Sequence, residues 1–154
     1  MAEGLLPVGA TPPDFGFGSE DTYIRLGELR NVYRVLLAFC PHGLDDRCKE
    51  GMYAIRDNWD EFQERDVIAI LVSSADEEIL ARFADSENLP FVLISDEDQL
   101  VSSGYGAEES ADAVAYLIGK DGTVKAVWQG WPSVDAVLSL IDSMPMRRQE
   151  MGAA

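Results

Sequence analysis

Val35-Leu36-Leu37-Ala38-Phe39-Cys40-Pro41-His42-Gly43-Leu44-Asp45-Asp46-Arg47-Cys48 decides how the rest of this chain is read. Its first half belongs to an apolar run over residues 33–40, as expected for a strand covered on both faces, since a strand with one wet face alternates. Its second half opens a helical pattern. Cys48, Met52, Ile55, Trp59 and Phe62 recur at steps of four, three, four and three, which predicts a helix over residues 46–63 with one apolar stripe. Cys48 therefore stands in the first turn of a helix, just beyond a buried strand. Unpaired backbone N–H groups and the helix dipole favour a thiolate there. Both cysteines of the chain lie in this stretch, so any thiol chemistry starts here.

Upstream, residues 1–15 read as an irregular lead-in ending in Pro12-Pro13-Asp14-Phe15. A turn region at 16–19, a short strand over 22–26 and a polar connection at 27–31, with a short helical turn, follow. Downstream, a buried strand at 67–72 runs into Ser73-Ser74-Ala75-Asp76, a lead to a helix N-cap. The helix over 77–88 turns Ile79, Leu80 and Phe83 to one side. A strand at 91–94 leads to a brief helix from Ser95-Asp96-Glu97 through Val101. Strands at 114–118 and 123–128 flank Gly119-Lys120-Asp121-Gly122, a hairpin turn of the Asp-Gly type. A last helix over 133–144 faces Val134, Val137, Leu138 and Ile141 inward, and residues 145–154 are expected to fray. Strands alternating with amphipathic helices imply βαβ units and a sheet covered on both faces, to which the hairpin adds an antiparallel part. The expected fold is α/β: a thioredoxin-like sandwich with a mixed central β-sheet flanked by helices and an N-terminal extension. With no repeat, low-complexity tract or linker, residues 1–154 are expected to form a single domain.

Twelve Lys+Arg against 28 Asp+Glu give a net charge of −16. The acidic residues are dispersed, and such a surface repels phosphate backbones and anionic headgroups, so neither nucleic acid nor membrane is an expected partner. Met1-Ala2-Glu3-Gly4-Leu5-Leu6-Pro7 carries no basic segment ahead of a long apolar core, and a cytoplasmic location is expected. Two close cysteines in such a chain suggest redox chemistry before a structural disulfide framework. One His and two Cys do not supply a usual zinc shell, so no metal and no cofactor are expected.

Several segments, in order, resemble the peroxiredoxins. Gly9-Ala10-Thr11-Pro12-Pro13-Asp14-Phe15 is similar to their opening G-x-x-x-P-D-F, and Phe39-Cys40-Pro41 to the Phe-x-Pro that ends their strand. Pro41-x-x-x-Asp45-x-x-Cys48 has the spacing of their Pro-x-x-x-Thr/Ser-x-x-Cys loop. Leu93-Ile94-Ser95-Asp96, Tyr105-Gly106 and Tyr116-Leu117-Ile118 before Asp121-Gly122 match further family segments. The length favours the bacterioferritin-comigratory type within the alkyl hydroperoxide reductase/thiol-specific antioxidant group.

The resemblance implies a thiol-dependent peroxidase acting on hydrogen peroxide or organic hydroperoxides, with a thioredoxin-type or low-molecular-weight thiol as reductant, in a monomer or homodimer. Cys48 corresponds to the peroxidatic cysteine, which becomes a sulfenic acid. Pro41 would shield it, while Asp45 and Arg47 shape its surroundings. Two family groups are replaced: Asp45 stands where a Thr/Ser hydroxyl is usual, and the position of a later arginine falls on Ala113. A carboxylate at about 4 Å opposes a thiolate by about 1 kcal/mol in water and about 4 kcal/mol at intermediate dielectric. A helix start offers about 0.3–1 kcal/mol. Arg34, Arg47, Lys49 and Arg82 are candidate compensating cations. These departures motivate the competing reading, a catalytically silent member of the fold that binds a partner or senses redox state.

Plainer roles stand beside the functional ones. Cys48 lies on the core stripe and reads equally as a buried structural thiol. Cys40 reads first as a core residue and second as a candidate resolving cysteine. A Cys40–Cys48 bond needs Cα atoms about 4.4–6.8 Å apart, and the loop is expected to reach that only by local unwinding. Asp45 and Asp46 are natural N-caps. His42 reads as solvated surface, and Trp59, Trp128 and Trp131 as packing residues, with Trp131-Pro132 also bordering the site's mouth. A Cys-Pro-His-Cys oxidoreductase motif is excluded, because Gly43 occupies the second cysteine's place.

Overall fold

In the computed structural model, which describes residues 4–18, 23–108 and 110–144, the lead-in ends in a small antiparallel ladder of β1 (Gly16–Phe17) and β2 (Ile24–Arg25). A 3-10 turn at Leu26–Leu29 follows. Next come β3 (Arg34–Cys40), α1 (Asp46–Asp57), α2 (Trp59–Glu64), β4 (Val67–Ser73), α3 (Glu77–Ser86), β5 (Val92–Ser95) and α4 (Leu100–Gly104). The hairpin strands β6 (Val114–Ile118) and β7 (Val124–Gln129) precede α5 (Val134–Asp142). The main sheet runs β5-β4-β3-β6-β7. Strand β3 lies at its centre, parallel to β4 and antiparallel to β6. This is the mixed, helix-flanked sheet expected from the sequence.

All seven residues of β3 are buried, which explains its lack of alternation. The pleat still sorts them. Leu36, Ala38 and Cys40 face a core shared with Cys48, Met52, Ile55 and Phe62 and with Val137 and Ile141 of α5. Val35, Leu37 and Phe39 face the opposite core, with Tyr105 and Tyr116. The period of two thus places Cys40 on the face that α1 covers.

The lead-in is tied to that second core. The Leu6 N–H donates to the Tyr116 hydroxyl at 2.9 Å, which donates to the Tyr105 carbonyl at 2.6 Å, and the Tyr105 hydroxyl donates to the Pro13 carbonyl at 2.6 Å. Burial pushes both phenols above their ordinary pKa, so both remain neutral donors.

Three elements differ from the sequence expectation. The helix over 46–63 is broken at Asn58, whose side-chain amide donates to the Ala54 carbonyl at 2.8 Å and closes α1. The apolar stripe continues across the break through Trp59 and Phe62. The brief helix starts later than expected because Asp96 turns inward, 6% exposed, and accepts from the N–H groups of Val101 and Ser102 and from the Ser102 hydroxyl. The expected strand over 22–26 is reduced to Ile24–Arg25. Ser19, Thr22 and the tail at 145–154 lie outside the described residues. Among the described residues no helix is long and apolar enough to cross a membrane.

Candidate active site

Strand β3 delivers Cys40 to the edge of the core, and the chain then turns back sharply. Ser74, the residue after neighbouring β4, pins the start of the turn: its hydroxyl donates to the Pro41 carbonyl at 2.9 Å. Gly43 sits at φ 78, the left-handed region that favours glycine. Asp45 is the N-cap of α1, its Oδ1 accepting the Cys48 backbone N–H at 2.9 Å. The first turn then carries Cys48 to the buried face.

Cys40 and Cys48 are joined in a disulfide, with Cα atoms 6.4 Å apart. The helix start is intact, so the expected unwinding is not needed. The left-handed turn at Gly43 and the pleat of β3 already bring the two side chains together. The bond is closed to solvent, Cys40 being 1% and Cys48 2% exposed.

The cations divide. Arg47 Nη1 donates to Asp112 Oδ2 at 2.6 Å. Arg34 is buried and donates to the Arg65 carbonyl, and Arg82 pairs with Glu78. Lys49 lies over the Phe83 ring, 5.6 Å from its centre. Arg47 is thus the cation held beside the cysteine turn, through a residue that sequence reading missed. Asp112 is 65 positions away and carries no motif; the one signal near it is Ala113, at the replaced family arginine. The Ala113 backbone N–H, followed by the Arg47 guanidinium, holds the Asp112 carboxyl below its ordinary pKa. Ala113 is 5% exposed and belongs to the same apolar core as both cysteines.

His42 is exposed, as expected, yet its Nε2 lies 3.1 Å from the Ser110 carbonyl oxygen. Trp131 packs flat on Gly51, one turn beyond Cys48, and shares a surface groove with Arg47, Glu50 and Gly130. Trp59 and Trp128 pack against the core.

A thiol in this place has a helix start behind it, a carboxylate cap beside it and a second thiol within bonding reach. The arrangement supports a cycle between a dithiol and a disulfide. Comparison with known proteins identifies the family. The model of the AhpC/TSA family matches residues 8–127. Peroxiredoxin Bcp of Escherichia coli (strain K12) is 29% identical over 134 residues, covering 80% of this chain and 85% of that protein. Peroxiredoxin Bcp of Bacillus subtilis (strain 168) is 23% identical, covering 90% and 95%. Among solved structures, peroxidoxin BcpB from Mycobacterium tuberculosis superposes with a TM-score of 0.78 at 23% identity, covering 90% of this chain and 97% of that one.

Proposed function

The chain belongs to the AhpC/TSA family, and we propose that it is a thiol-dependent peroxidase in which Cys48 is the peroxidatic and Cys40 the resolving cysteine. The Cys48 thiolate attacks the O–O bond of hydrogen peroxide or an organic hydroperoxide. Cys48 becomes a sulfenic acid, and water or an alcohol leaves after taking up a proton. The Cys40 thiol then attacks the Cys48 sulfur, expelling water and forming the disulfide. An external dithiol, of thioredoxin type or of low molecular weight, resets the pair through a mixed disulfide. Pro41 covers the turn, Asp45 fixes the start of α1, and Arg47 supplies positive charge at its edge. In this role the protein works in the cytoplasm as a monomer or homodimer, and residues 1–154 act as one domain.

The pairing of Cys40 with Cys48 carries this conclusion. The competing role, a silent partner-binding or redox-sensing protein, draws on Asp45 and Ala113. Family membership together with a resolving thiol already in reach favours turnover. Peroxide consumption with a thioredoxin system or dithiothreitol tests it. Wild type is expected to consume peroxide, Cys48→Ser to be inactive, and Cys40→Ser, treated with peroxide in the absence of added thiol, to stop at the sulfenic acid. Consumption no faster than the reductant alone would refute the proposal.

A further inference from the structure

The last step of that cycle requires an external thiolate to reach a sulfur, and in the oxidised protein both sulfurs are closed to solvent. Part of the enclosure must move. Cys40 ends the central strand, paired with Ser73 of β4 and directly following Phe39, which is paired with Val114 of β6, and is the fixed side. The other side is the segment from Pro41 to Cys48.

That segment is held to the approach to β6 by two contacts. One is His42 Nε2 at 3.1 Å from the Ser110 carbonyl, and the other is Arg47 Nη1 at 2.6 Å from Asp112 Oδ2. The other oxygen of the Asp112 carboxylate accepts the Ala113 N–H at 2.9 Å, directly before β6 begins. One carboxylate therefore ties the first turn of α1 to the sheet.

We propose that Asp112 is a positioning residue of the cycle: its ion pair with Arg47 clasps the first turn of α1 over the buried disulfide, and release of the clasp admits the reducing thiol. The cycle in which this matters is the one proposed above. The pair's exposure suits the role, the Arg47 side chain being 72% and that of Asp112 38% exposed. An exposed pair adds little to global stability and is screened by salt, so it holds the turn without trapping the oxidised protein.

The test is the reduction rate of the oxidised protein by excess tris(hydroxypropyl)phosphine, a neutral reagent whose own attack is insensitive to screening. Wild type is expected to be reduced roughly five-fold faster at about 0.5 M than at about 0.01 M salt. Asp112→Asn is expected to be fast at both. Asp112→Glu, and the charge exchange Arg47→Asp with Asp112→Arg, are expected to return the slow, salt-dependent rate, with the oxidised forms melting close to wild type. Equal rates for wild type and Asp112→Asn overturn the proposal. An acceleration that neither Asp112→Glu nor the charge exchange reverses also overturns it, since that indicates general loosening. No peroxide enters this assay, so its answer is independent of whether the protein turns over peroxide.

Discussion

The Asp45 carboxylate and the Cys48 backbone are joined directly, Asp45 Oδ1 accepting the Cys48 N–H at 2.9 Å. The bond caps α1 and at the same time engages an N–H that faces the thiol's end of the helix. It also places a negative charge in the turn where a thiolate must form. A threonine keeps a capping oxygen without the charge. Asp45→Thr is therefore expected to speed the reaction of Cys48 in the reduced protein with hydrogen peroxide by about five-fold, the effect of about 1 kcal/mol of relieved repulsion. Stopped-flow oxidation reads this out, and an unchanged rate would show that the Asp45 charge is not felt at the sulfur.

Gly51 is set against Trp131. A Cβ added there would lie 2.3 Å from one ring atom and 2.6 Å from two others. Glycine to alanine within a helix ordinarily gains about 1 kcal/mol. Here overpacking against the indole is expected to reverse the sign, for a net loss of about 1–3 kcal/mol in urea unfolding. In a Trp131→Ala background the same substitution should become stabilising. A stable Gly51→Ala in the wild-type background would contradict the packing described.

The Tyr116 hydroxyl serves two backbone groups, Leu6 N–H and the Tyr105 carbonyl. Tyr116→Phe leaves both without that partner and is expected to cost about 1–3 kcal/mol. Because Leu6 lies in the lead-in, limited proteolysis should cut ahead of residue 10 faster in this variant. Unaltered stability and unaltered cleavage would mean that the lead-in is held by other contacts.

Asp121 links the hairpin turn to β7. Burial pushes its carboxyl up, but hydrogen bonds from Lys125 and Thr123 more than offset this, and it rests below its ordinary pKa. A carboxylate lowered on folding stabilises above its unfolded pKa of about 3.9 and loses that contribution as pH falls through its folded value. The melting-temperature gap between wild type and Asp121→Asn should therefore hold from neutrality to about pH 5 and close below about pH 4. A gap independent of pH would assign the loss to packing.

The main elements were legible because β3 lacks alternation and α1 carries an unbroken stripe, signals that tertiary packing reinforced. The break at Asn58 was hidden by that same stripe, since Trp59 and Phe62 stay in phase after the helix ends. The start of α4 depends on Asp96 meeting the Ser102 hydroxyl and two N–H groups, a three-dimensional match that local propensity does not encode. In the site, Cys48 and the Asp45 cap were readable from position alone. The bond to Cys40 was less so, although the shared phase of Leu36, Ala38 and Cys40 pointed to the α1 face. What closes the distance is the left-handed turn at Gly43. Asp112 had no signal beyond the neighbouring Ala113, because its pairing with Arg47 exists only where the chain approaching β6 meets the start of α1.

Stopped-flow oxidation of the reduced protein by hydrogen peroxide decides whether Cys48 is the nucleophile proposed for peroxide. The rate should exceed that of a free thiol at the same pH by orders of magnitude, vanish in Cys48→Ser, and be followed by formation of the Cys40–Cys48 bond in mass spectra. A Cys48 rate no faster than that of the free thiol would contradict the claim.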